Sequence, residues 1–67
     1  MIIFVNVAER QALINFNNVT AVIPTTDGCY IYFNNGEKLS TNESIEEIYD
    51  KIQAILNRKM HWSIISE

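Results

Sequence analysis

Cys29 and His61 are the two side chains with nucleophilic or general-base potential that draw attention first, and each is the sole residue of its type in the chain. A hydrolytic triad needs a nucleophile held beside a base that is itself oriented by a third group. No spacing here sets a serine or cysteine next to His61, so no catalytic residue is assigned and His61 reads as a surface or interface histidine. Tetrahedral zinc needs four nitrogen or sulfur ligands, which one cysteine and one histidine cannot supply within a chain; no metal or cofactor is assigned. Glu43, Glu46, Glu47 and Asp50 form the densest acidic group. Paired carboxylates or a divalent-cation site would use such residues, but the start of a helix attracts acids through capping and its dipole, and that explanation is preferred. Cys29, directly after Gly28, reads as a small buried hydrophobe. Gly28 and Gly36 are isolated turn glycines, and no phosphate-cradling loop is present.

The aromatic run Tyr30-Ile31-Tyr32-Phe33 admits a second chemistry. Sheets that bind single strands stack bases on such rings, with Lys and Arg interleaved to hold the phosphates. Here the flanks are Asn, Gly and Glu, and 5 basic against 8 acidic residues leave a net charge of −3. Nucleic acid is disfavoured on charge, and packing in a core or an interface is the better reading.

These residues must be positioned by a small scaffold. Sixty-seven residues allow one domain, taken as 1–67, and a domain this size is marginal without help from disulfides, metal or self-association. Turn chemistry divides the chain into an α+β pattern: a small antiparallel β-meander of about five strands followed by one amphipathic helix and a short apolar tail. The strands are expected at Met1 to Val7, Gln11 to Asn15, Val19 to Thr25, Cys29 to Phe33 and Glu37 to Thr41. Asn34-Asn35-Gly36 is a hairpin signal, Pro24 belongs at a strand end or edge, and the pair Asn17-Asn18 can bend the chain by tolerating left-handed backbone. Ser44-Ile45-Glu46-Glu47 fits a capping box. Ile45, Ile48, Tyr49, Ile52, Ile55 and Leu56 then make an apolar helical stripe that is expected to end around Arg58 to Met60. The following Met60 to Ile65 segment is open between an extra strand, a continued helix and a docking tail.

Strand alternation puts Cys29, Ile31 and Phe33 on one face and Tyr30 and Tyr32 on the other. In the third strand it groups Val19, Ala21 and Ile23 against Thr20 and Val22. One helix covers one sheet face, so the opposite face is left apolar unless a second subunit or the tail covers it; a curled sheet within one chain is the competing solution. The expectation is a homo-oligomer acting as a protein-binding module, with Tyr30, Tyr32, Trp62 and Ile64 at the interface. The alternative is an oligomeric binder of a small ligand or nucleic acid.

The segments Leu13-Ile14-Asn15-Phe16-Asn17-Asn18-Val19 and Asn35-Gly36-Glu37-Lys38-Leu39, running into Glu43-Ser44-Ile45-Glu46-Glu47-Ile48 after a leading apolar strand, resemble the small flagellar and swarming motility protein family (FlbD-like). The resemblance covers roughly residues 1 to 56. It implies a small cytoplasmic accessory or regulatory protein linked to motility that acts by binding, with no catalytic residues to carry over; similar short chains also occur among bacterial and phage proteins. The leading run Met1 to Val5 is too short to span a bilayer and lacks the basic start of a signal peptide, so a cytoplasmic location without membrane contact is expected.

Overall fold

The computed structural model describes the backbone of residues 1–66 and the side chains of residues 1–57. Strands β1 (Ile2–Val7), β2 (Arg10–Asn15), β3 (Val19–Pro24), β4 (Cys29–Phe33) and β5 (Lys38–Thr41) precede one helix, α1 (Ile45–Ser66). The α+β class is as expected. The strands are hydrogen-bonded as two antiparallel sheets, β1-β2 and β3-β4-β5, because the chain does not pair β2 with β3. A short 3-10 turn over Phe16–Asn18 carries it from one sheet to the other.

That corner is built differently from expectation. Neither Asn17 nor Asn18 is left-handed; among the described residues the one non-glycine with positive φ is Ala8, at 55°. Instead the Asn15 side chain accepts from Asn17 N at 3.1 Å, an asparagine side chain standing in for a backbone turn. Ala8 and Glu9 form the tight loop between β1 and β2, closed by the Val7 and Arg10 pair. Only the first loop residue needs positive φ, a position that favours glycine.

Pairing parity is set by that loop. Val7 with Arg10, Val5 with Ala12 and Ile3 with Ile14 are the hydrogen-bonded pairs, while Asn6 with Gln11, Phe4 with Leu13 and Ile2 with Asn15 turn their backbone groups outward. The same alternation buries Ile3, Val5 and Ile14 and exposes Ile2, Phe4 and Leu13.

In the second sheet β4 behaves as read: Cys29 and Ile31 are buried, Phe33 packs against the core, and Tyr30 lies on the exposed side. β3 does not. A register shift between Val19 and Ala21 leaves Val19 opposite Phe33, Ala21 opposite Tyr32 and Val22 opposite Ile31, so Val19 and Val22 both pack on the core while Ala21 and Ile23 share the Tyr face. The extra residue is Thr20, whose hydroxyl donates to the Tyr32 carbonyl at 3.3 Å; a bulge breaks the period of two that strict alternation assumes.

The β4-β5 hairpin closes through Phe33 N to Glu37 O (2.9 Å) and Gly36 N to Phe33 O (3.0 Å), with Gly36 at φ 88°. Gly28 serves a tighter purpose. A Cβ there would run into the Thr41 carbonyl and come within 2.8 Å of Asn42 Cα, so β5 lies against bare backbone at this point.

The α1 capping box is present as predicted: Glu47 N donates to Ser44 Oγ at 3.1 Å and Ser44 N to Glu47 Oε1 at 3.2 Å. Ile48 is buried against Ile3, Val5, Ile14, Cys29 and Ile31, with Ile45, Ile52 and Ile55 around them. Tyr49 is exposed rather than part of the buried stripe. The helix continues to Ser66, past the Arg58 to Met60 end expected from sequence.

Candidate interaction surface

With the inner faces of the sheets and one side of α1 packed together, the outer faces remain open. On the β1-β2 sheet Ile2, Phe4 and Leu13 are 52%, 56% and 61% exposed, and Phe4 stands directly across from Leu13. They form the largest group of exposed apolar side chains on one sheet face among the described residues. Sequence alternation points to β4 for the open face instead. There Tyr30 is 36% exposed and Tyr32 half-buried. Their rings meet edge to face at 6.4 Å, and Lys38 Nζ lies 4.3 Å from the centre of the Tyr30 ring, a cation–π arrangement that partly covers it. The structure thus keeps Tyr30 and Tyr32 together on an outer face, with Ile23 48% exposed opposite Tyr30; against these, Ile2, Phe4 and Leu13 are three large apolar side chains each more than half exposed. Alternation in β1 and β2 held the signal for them. The side chains of Trp62 and Ile64 lie outside the described residues.

The edges of the sheets are as informative as their faces. On β1, Asn6 N donates to Glu43 Oε2 at 2.7 Å and Phe4 O accepts from Lys51 Nζ at 2.6 Å. Glu43 and Lys51 are themselves joined by an ion pair of 2.5 Å, the Glu43 side chain being only 4% exposed. Two outward-facing backbone groups of β1 are therefore satisfied by side chains from α1 and its lead-in, as a neighbouring strand would satisfy them. Thr41 supports this device, its hydroxyl accepting from Glu43 N at 3.2 Å. The acidic group at the helix start accordingly divides: Glu47 caps the helix and Glu43 seals a strand edge, a role its sequence context did not reveal because the partner groups are 37 residues away.

Among the described residues no group of three or more His, Cys, Asp or Glu could hold a metal ion, and no helix is long and apolar enough to cross a membrane. A shallow cleft of about 490 Å³ lies between the β1-β2 loop and the Thr25–Asp27 turn, with Tyr30, Ser40 and Asn42 on its walls. Cys29 is buried away from it. Burial pushes its thiol pKa up from 9.0, and the carboxylates of Glu46, Glu43 and Glu47 add to the rise. A thiol in such a place is the opposite of an activated nucleophile.

The chain matches no family model, no curated protein and no solved structure.

Proposed function

We propose that this protein is a non-enzymatic binding module that works through self-association. The observation that carries the reading is the apolar row Ile2, Phe4 and Leu13, more than half exposed on one face of a small sheet. Soluble monomers rarely leave such side chains grouped in the open, and a grouped patch marks an interaction surface. Buried aromatics often dominate the energetics of such contacts, which makes Phe4 the first anchor. Tyr30 and Tyr32 offer a second contact region for a protein partner. Sequence resemblance to the FlbD-like family makes a cytoplasmic, motility-linked accessory role the candidate setting.

Native mass spectrometry of gently purified protein tests this reading. A defined oligomer without added mass is expected. A ligand-free monomer at every concentration would overturn it. A bound small molecule would favour the second reading, a small-ligand binder, for which the cleft beside Tyr30 and Asp27 is the site. Its walls are rich in Thr, Ser, Asn and Asp, whereas small-molecule pockets are mostly apolar, so this reading comes second.

A further inference from the structure

Exposed strand edges invite pairing with other chains, and small sheets defend them with short strands, lysine, proline, bulges or covering side chains. Three of the edges here carry such a device. β1 is sealed by Glu43 and Lys51. β3 contains the Thr20 bulge and ends in Pro24. β5 is only four residues long and begins with Lys38. β2 shows none among the described residues: its one charge, Arg10, sits beside the loop, and the residues that turn their backbone outward are Gln11, Leu13 and Asn15. Among the described residues no strand or side chain is hydrogen-bonded to the backbone of Gln11 or Leu13 along that edge.

We infer that β2 pairs antiparallel with β2 of a second copy of this chain, joining the two hairpins into one four-stranded sheet. This rests on the self-association reading and gives it an address. A two-fold axis beside Leu13 makes it a hydrogen-bonded pair with its own counterpart and sets Gln11 opposite Asn15. The outward groups of Gln11 and Leu13 and the Asn15 N–H then find partners in one register, the Asn15 carbonyl being the one that caps the 3-10 turn. The outer face of the joined sheet carries Phe4, Leu13 and their counterparts Leu13 and Phe4 in one apolar row: pairing satisfies the open edge and packs the two Leu13 side chains against each other, while Phe4 keeps its outer face for a further contact. A different protein could supply a strand, but only a second copy brings Leu13 to Leu13 with apolar side chains continuing on both sides. The pairing closes at two chains, because the remaining edge of each hairpin is the one occupied by Glu43 and Lys51.

Leu13→Cys tests the register. In a hydrogen-bonded antiparallel pair the Cα atoms lie about 5.5 Å apart, within disulfide reach, so mild oxidation should convert most of the variant to a covalent dimer. Ile23→Cys, exposed on the other sheet, is the control and should crosslink at no more than a tenth of that yield; wild-type Cys29, which is buried, should not crosslink. Leu13→Lys should shift the native mass from dimer to monomer with unchanged circular dichroism. A wild-type oligomer that persists in Leu13→Lys, together with equal crosslinking at positions 13 and 23, would overturn β2 pairing while leaving self-association standing. A wild-type protein that is monomeric at every concentration would overturn both.

Discussion

The two edges of the β1-β2 hairpin start from the same chemistry and end differently. Both present alternate backbone N–H and C=O groups to the outside, yet on β1 an ion pair from the helix region occupies two of them, and on β2 those of Gln11 and Leu13 have no partner among the described residues. The sealing groups come from beyond residue 40, so the β1 edge is closed only once the C-terminal half has folded against it. Helix and sheet are thereby coupled through two side chains as well as through the apolar contact of Ile48 with Ile3 and Val5. The β1 edge is closed from within the chain, and the β2 edge, where pairing with a second copy is proposed, carries no such device among the described residues.

The largest disturbance of the sealed edge should come from Gly28→Ala. Its Cβ would displace the Thr41–Asn42 backbone, which leads directly into Glu43; a loss of at least about 4 kcal/mol is expected, enough to unfold a domain of this size, read by urea titration. Next is Glu43→Ala. Lys51 is 35% exposed, so the ion pair itself contributes little, and the loss is about 1 to 3 kcal/mol from leaving the outward Asn6 N–H without its acceptor. Ser44→Ala should cost about 1 kcal/mol through loss of the helix cap, leaving the edge contacts intact. Of similar size but opposite sign, Ala8→Gly should stabilise the hairpin loop by about 1 kcal/mol by relieving positive φ at a residue with a side chain.

The smallest effect concerns pH. The folded Cys29 thiol titrates above its ordinary value, so at alkaline pH the unfolded chain gives up its proton first. The stability contributed by the neutral buried thiol is full below pH 9.0 and is lost as pH rises toward the folded pKa. Cys29→Val should remove that part of the alkaline decline, measured as the difference between the two proteins' stability curves. Thiol reagents should likewise modify Cys29 only as fast as the protein opens.

Local chemistry was legible in the sequence and distant partnership was not. The Ser44 to Glu47 capping box, the Asn35-Gly36 hairpin turn and the burial of Cys29 and Ile31 each depend on neighbours within a few residues, and all appear in the structure. The Thr20 bulge defeats the alternation rule because one inserted residue reverses the facing of every later position in the strand; strict alternation sets Val22 away from Val19, yet the two pack on the same core. Glu43 looks like one more acid at a helix start, and its role depends on Asn6 and Lys51, which no spacing connects to it. The Phe4 and Leu13 row is visible as alternation in two separate strands, but ranking it above the tyrosine face requires knowing that Lys38 partly covers Tyr30.

Amide hydrogen exchange resolved by residue, measured across a range of protein concentrations, tests the contrast between the two edges most directly. Asn6 N–H should exchange slowly at all concentrations, because Glu43 holds it within one chain. Gln11, Leu13 and Asn15 N–H should exchange quickly in dilute protein and become protected as concentration rises. Fast exchange at Asn6, or amides of β2 whose rates ignore concentration throughout, would contradict the account.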